Sequence, residues 1–150
     1  MDIAPSLYVP MVSYLDQATE VLQFFEEKEL LQREMMRMKS YQETCQIEFF
    51  GCDYNRPPDL PQYDLLISQY AGNVGQAMKP FLKTGGILLV ADGPADYQLA
   101  LQDPDYQFLG TIKRSQGRLS IVPELLPPEK RRLTNGMEIS LARDFCFKKR

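Results

Sequence analysis

Three short apolar runs in the middle of the chain set its pattern: Ile47-Glu48-Phe49-Phe50, Tyr63-Asp64-Leu65-Leu66-Ile67-Ser68 and Gly86-Ile87-Leu88-Leu89-Val90-Ala91-Asp92. Each has the length of a strand. The second and third are near-continuously apolar, as strands buried on both faces of a parallel sheet are. Between them Val74, Ala77, Met78, Phe81 and Leu82 recur at helical spacing, with Asn73 as cap, Pro80 splitting off a final turn and Thr84-Gly85-Gly86 as the stop. The pattern predicts one strand, then a strand–helix–strand unit whose right-handed crossover joins two parallel neighbours.

Residues 1–12 read as an extended lead-in broken by Pro5 and Pro10, with Leu7-Tyr8-Val9 as a brief strand. Ser13 as N-cap and Asp16 in the first turn then predict a long N-terminal helix. Leu15, Ala18, Leu22 and Phe25 fall on one face. Leu30, Leu31, Met35 and Met38 continue the spacing after the charged break Glu26-Glu27-Lys28-Glu29. The stretch is either one helix to residue 39, on the order of 39 Å long, or two helices joined near Lys28. Its length predicts that part of the apolar face contacts another chain. Met35, Met36 and Met38 suit core or interface packing better than a ligand role.

Downstream, Pro57, Pro58 and Pro61 make 55–61 a turn, and residues 94–101 suggest a short helix. Residues 106–122 predict an antiparallel hairpin turning at Ser115-Gln116-Gly117, and Asn135-Gly136 is a type I′ turn signal. Beyond it Met137, Ile139 and Leu141 alternate, as do Phe145 and Phe147, predicting an edge strand or an ordered tail. The fold class expected is α/β: a three-layer, Rossmann-like domain with a mostly parallel sheet, a C-terminal antiparallel hairpin and a long N-terminal helix. One domain is expected over 1–150, with a helical segment 1–44, an α/β core 45–122 and a C-terminal extension 123–150.

Composition narrows the chemistry. A chain of 150 residues buries roughly 70% of its unfolded surface and needs no staples. A net charge of −3 favours neither nucleic acid nor an anionic membrane. No apolar run approaches the length of a membrane span. The start of the chain is acidic and its end basic, which reads as two solvated faces or as mutual attraction within or between chains. Cys45, Cys52 and Cys146 form no CxxC pair, and no signal-peptide pattern opens the chain, so a reducing, cytoplasmic setting is expected. There is no histidine. That excludes a Ser-His-Asp triad and a Cys-His pair within one chain, and no metal is expected.

The candidate chemistry sits after the strands, where open α/β sheets bind ligands. Asp53 and Tyr54 follow the first run, either hydrogen-bonding a base or ribose or forming a turn. Ser68, Gln69 and Tyr70 follow the second and offer a hydroxyl, an amide and a ring, but no base. Asp92 and Asp96 follow the third, as acids or bases in a cleft or as solvated carboxylates. Gly72-Asn73-Val74-Gly75 at a helix start can hold an anion on backbone N–H groups, or can simply cap and pack closely. Cys52 is a poor nucleophile beside Asp53. Lys113, Arg114 and Arg118 with Lys130-Arg131-Arg132 read as solvated surface, since aromatic interleaving is sparse.

The run Tyr63-Asp64-Leu65-Leu66-Ile67-Ser68, followed by a helix and by Phe81-Leu82-Lys83-Thr84-Gly85-Gly86-Ile87-Leu88-Leu89-Val90, resembles the second half of class I S-adenosylmethionine-dependent methyltransferases. Ile47-Glu48-Phe49-Phe50-Gly51-Cys52-Asp53 resembles the preceding strand of that family, whose terminal acidic residue lies near the adenine. Residues 106–122 match the family's final antiparallel pair. The resemblance covers about 45–122 and implies S-adenosylmethionine as cofactor, with Asp53, Tyr54, Ser68, Gln69, Tyr70 and Asp92 as cofactor-binding residues. The family's glycine-rich loop follows its first strand, and a second strand ends in an acidic residue for the ribose hydroxyls. Here no glycine lies upstream of Gly51. Met1-Asp2-Ile3-Ala4-Pro5 faintly resembles the end of that second strand, but on this reading the strand is missing. Two functions follow: a methyltransferase-like protein, partial or degenerate, or a non-catalytic module self-associating through its N-terminal helix or open sheet edge into a homo-oligomer.

Overall fold

The computed structural model describes residues 3–69, 72–91, 96–116, 118–124, 129–132, 138–141 and 144–150, with backbone alone for Arg114, 129–132 and 138–141. The chain packs as two compact units, Met1–Pro58 and Asp59–Arg150.

The first unit holds a 3-10 helix (Ala4–Leu7), strand β1 (Met11–Asp16), helices α1 (Thr19–Glu26) and α2 (Lys28–Met38) and strand β2 (Gln46–Gly51). β1 and β2 pair in parallel, with Val12 opposite Ile47 and Asp16 opposite Gly51. The long N-terminal helix expected from Ser13 does not form. Ser13 lies in β1, and its hydroxyl donates to Glu48 at 2.9 Å across the pair. Pairing with β2 lets Val12 and Tyr14 turn inward together, and that burial outweighs the local cap signal. Asp16 still serves a helix start: its carboxylate accepts from the Ala18 N–H at 2.9 Å, so the helix opens at Thr19. The helical run breaks at Glu27 into the two helices of the alternative reading. Leu7 lies in the 3-10 helix and Tyr8 in a turn, so the brief strand expected there does not form.

Tyr14, Val21, Phe25, Leu31, Met35 and Cys45 make this unit's core, with Phe25 stacked on Phe49 at 4.2 Å. Met35 is fully buried, whereas Met36 and Met38 are exposed. Polar groups under the core are partnered: the Ser6 and Tyr14 hydroxyls meet at 2.7 Å and Tyr41 donates to the Ser6 carbonyl at 2.8 Å. Burial, with the Cys45 thiol adding, pushes the Tyr41 phenol up to about 12.

The second unit runs β3 (Tyr63–Ser68), α3 (Val74–Ala77), a 3-10 turn (Lys79–Phe81), β4 (Leu82–Ala91), α4 (Asp96–Gln102), β5 (Tyr106–Ser115), β6 (Arg118–Val122), β7 (Glu129–Arg132), β8 (Glu138–Leu141) and β9 (Asp144–Lys149). Five strands form one sheet in the order β3-β4-β9-β5-β6, and β7 and β8 pair separately. β3 and β4 are parallel, with Leu66 opposite Leu88. β4–β9, β9–β5 and β5–β6 are antiparallel, so this sheet is mixed rather than mostly parallel. The reason is β9. The expected edge strand or tail inserts between β4 and β5, where Phe145 and Phe147 are buried against Tyr97, Tyr106 and Phe108. The Asn135-Gly136 turn signal lies outside the described residues.

Leu82, Leu88, Val90, Ala100, Tyr106, Phe145 and Phe147 form the core on the helix-bearing face. The opposite face carries Ile87, Leu89, Leu109, Ile112 and, more exposed, Leu65, Ile67, Leu119 and Ile121. Below the strands' starts, Lys79 bonds Asp103 at 2.6 Å and Asp105 at 2.7 Å, while Lys149 donates to the Lys79 and Leu82 carbonyls at 2.9 and 2.6 Å. Burial works against both charges of the Lys79–Asp103 pair. Burial is the largest single influence on each, but the hydrogen bonds and charges of the surrounding partners, Asp105 included, together outweigh it, raising the Lys79 pKa and lowering that of Asp103. Among the described residues no helix is long and apolar enough to cross a membrane.

Candidate functional site

Parallel strands end on one edge, so the register decides which residues share it. In the first unit β1 ends at Asp16 opposite Gly51, and Asp53 follows two residues beyond. Asp16 is partly buried, with one carboxylate oxygen receiving the Ala18 N–H. Asp53 accepts from the Asn55 backbone N–H at 2.9 Å and its side-chain amide at 3.0 Å, both on Oδ1. That is the turn-forming arrangement. Tyr54 stands half-buried beside it. A Cβ on Gly51 would come within 2.4 Å of a Leu22 methyl group, so α1 packs against a bare backbone at this end of β2. Burial, and then the Asp53 charge, push the Cys52 thiol up, which suits no nucleophile.

In the second unit Ser68 ends β3 and is buried, while Gln69 next to it is exposed. Ser68 donates to Asp96 at the start of α4. The Gly75 N–H in α3 reaches both oxygens of the same carboxylate, at 3.0 and 2.9 Å. The glycine-containing helix start that can hold an anion is thus occupied by a carboxylate of this chain. Asp96 is only 4% exposed, so it is an internal acceptor rather than an acid or base in an open cleft. Tyr106 donates to the Gly75 carbonyl at 3.0 Å, and burial, with Asp103 and Asp96 adding, raises its phenol pKa. Tyr70 and Asp92, expected on this edge, lie outside the described residues.

Sequence reasoning missed Asp16 as a strand-end residue, because Ser13 and Asp16 together resemble a helix start. The usable signal was Val12/Tyr14 alternation ahead of an Asp. A cavity of about 660 Å³ lies elsewhere in the first unit, along β2 and under Leu22, Phe25, Leu31 and Met35. It is lined along the strand's length, so the chemistry-bearing groups beyond β2 do not line it. Among the described residues no group of His, Cys, Asp or Glu is arranged to hold a metal. Lys113 and Arg118 are exposed at the hairpin tip, and the side chains of Lys130, Arg131 and Arg132 lie outside the description.

No family model matches this sequence, and no curated protein matches it. Solved structures do. TehB from Haemophilus influenzae superposes with a TM-score of 0.54 at 14% identity, over 93% of this chain and 50% of that one. A SAM-dependent methyltransferase from Methanosarcina mazei gives 0.53 at 11% identity, over 93% and 82%. Precorrin 8W decarboxylase from Methanobacterium thermoautotrophicum gives 0.51 at 18% identity, over 95% and 71%. The chain thus spans half the length of TehB. Such identities speak of fold, and the decarboxylase shows that the fold does not dictate the reaction. The chain has an α/β fold of the class I S-adenosylmethionine-dependent methyltransferase type.

Proposed function

We propose that this chain is a methyltransferase-like protein that binds S-adenosylmethionine or its demethylated product by the nucleoside end, along the carboxyl-terminal edge of β1 and β2. The observation that carries this reading is the position of Asp16. It ends a strand that runs parallel to β2 and precedes it in sequence, which is where the family's ribose-binding carboxylate stands. A carboxylate there can accept both ribose hydroxyls, which act as donors. Asp53, at the end of the next strand, is the residue for the adenine side.

The fit is partial. Two carboxylates suit a diol and an amino-bearing base. A close-approach glycine loop ahead of the acidic strand is not among residues 1–46, which contain no glycine. The cofactor, when bound, would supply an electrophilic methyl group. The residues described here bind and orient its nucleoside, and none of them is placed to take a proton from an acceptor. Binding is therefore the function proposed, with methyl transfer its implied reaction class. Calorimetry with S-adenosylhomocysteine tests it. Asp16→Asn keeps an oxygen for the Ala18 N–H and removes the charge, and should weaken binding by about ten-fold or more. Equal affinities would refute the assignment.

A second reading, a self-associating interaction module, is favoured by the exposed apolar face of the second unit's sheet. Leu119 and Ile121 at one edge of that face are 64% and 54% exposed, and Leu65 and Ile67 at its other edge 40% and 37%. Apolar sheet faces normally pack on another layer. A second copy offers the same apolar face, and two such faces are self-complementary.

A further inference from the structure

Among the described residues β2 pairs with β1 alone, so it is an edge strand. One hydrogen bond tells which of its backbone groups face outward. The Gln46 N–H donates to the Pro10 carbonyl at 2.7 Å, toward β1. Successive residues of a strand send their N–H and C=O groups to opposite sides. Gln46, Glu48 and Phe50 therefore face β1, while Ile47, Phe49 and Gly51 face away from it. Edges are commonly blunted by lysine, proline or a bulge. Gln46–Gly51 contains neither residue, and its register with β1 is unbroken. Its one charge, Glu48, accepts from the Ser13 hydroxyl. The 660 Å³ cavity borders this edge, because consecutive residues from both faces of the strand, Gln46 to Phe49, line it. Across it stand α1 and α2, with Leu31 and Met35 buried and Glu26 and Lys28 exposed at the lip.

We propose that this edge is an interface between two copies of the chain, with β2 running antiparallel to β2 of the second copy about a two-fold axis at Phe49. Directly opposed residues share a face, so only axes through a residue are allowed. With the axis at Phe49, Ile47 stands opposite Gly51 and Glu48 opposite Phe50. The outward groups of Ile47, Phe49 and Gly51 are then all paired. Any other axis leaves an outward residue beyond the end of the second strand, and an axis at Glu48 also sets two carboxylates face to face. The lip suits a second copy as well. Glu26 ends α1 and Lys28 opens α2, so each finds the opposite charge on a two-fold partner. The interface belongs to the first unit by itself, and it rests neither on the ligand reading nor on the apolar face of the second unit.

Sedimentation of the full chain should show a dimer at roughly 100 µM, a weak association that suits an interface at the small end of the range. Phe50→Glu puts like charges opposite Glu48 on both sides of the axis and should weaken the dimer about ten-fold or more. Phe50→Lys removes the same ring but meets Glu48 with the opposite charge, and should keep the dimer. Leu119→Lys with Ile121→Lys should leave it intact. Crosslinking reads the register. Opposed residues that do not exchange hydrogen bonds lie about 4.5 Å apart between Cα atoms, close enough for a disulfide. In a Cys52→Ser background, an oxidised mixture of Glu48→Cys and Phe50→Cys chains should give a covalent dimer in higher yield than either variant alone. A wild type monomeric at that concentration overturns the proposal and leaves the edge to a strand of some other protein. Equal loss of the dimer in Phe50→Glu and Phe50→Lys overturns the register, as does Glu48→Cys crosslinking best to itself. A dimer abolished by Leu119→Lys with Ile121→Lys overturns the assignment to β2.

Discussion

Replacing Gly75 with alanine puts a methyl group against the Asp96 carboxylate. Its Cβ would lie 2.7 Å from Oδ1, closer than real Cβ contacts come, and 3.2 Å from Cγ and Oδ2, which is tight. The backbone at Gly75 is helical and outside the left-handed region, so alanine brings no conformational strain of its own. In a helix it should even gain roughly 0.5–1 kcal/mol over glycine. Against that, the carboxylate must move. It is buried and held by Ser68 and the Gly75 N–H, and losing charge-assisted hydrogen bonds there costs about 1.5–3 kcal/mol. The net expectation is destabilisation of about 1–2 kcal/mol in urea denaturation. The informative comparison is the same substitution in an Asp96→Ala background. With the carboxylate gone the clash disappears, and Gly75→Ala should become neutral or mildly stabilising. The double-mutant cycle should therefore show coupling of about 1–3 kcal/mol. Equal costs in both backgrounds would refute the argument that the carboxylate, rather than general crowding, excludes a side chain at Gly75.

Phe147 is fully buried in the middle of the second unit's sheet, so Phe147→Ala should cost about 3–5 kcal/mol in urea denaturation; a loss below about 1 kcal/mol would contradict its central place. The lowered pKa of Asp103 gives stability that is complete above the ordinary carboxylate range, near pH 4, and is lost as pH falls through the depressed value. The raised pKa of Lys79 gives stability that is complete below its ordinary range, near pH 10.4, and is lost only as pH rises through the higher value. Melting curves from pH 6 to 2 should therefore fall less steeply for Asp103→Asn than for the wild type, and parallel curves would argue against the pair. If the exposed sheet face self-associates, sedimentation at tens of micromolar should show an assembly that Leu119→Lys with Ile121→Lys returns to monomer. A wild type monomeric at that concentration contradicts the second reading.

The legible parts of the sequence were those whose signals are local. β3 and β4 show as near-continuous apolar runs, and Pro80 marks the change from α3 to a 3-10 turn because a proline ring stops a helix within one residue. β1 was hidden because Ser13 and Asp16 imitate a capping pattern, while the pairing that overrides it, Val12 with Ile47 and Tyr14 with Phe49, spans 35 residues. β9 was read as an edge strand or tail for a related reason. The alternation of Phe145 and Phe147 tells of a strand, but nothing near it in sequence tells that β4 and β5 lie on either side. At the candidate site, residue types were visible and their partners were not. Gly75 showed as part of an anion-holding helix start, and the anion is Asp96, 21 residues away. Asp53 showed as either ligand or turn residue, and its Oδ1 is taken by the turn.

The central claim, that this fold retains a nucleoside-binding edge ending on Asp16, is tested most directly by isothermal titration of the wild-type chain with S-adenosylhomocysteine. A saturable, one-to-one heat with micromolar affinity, lost or weakened about ten-fold in Asp16→Asn, is the result predicted. Absence of binding at millimolar ligand, or binding indifferent to Asp16, would contradict it.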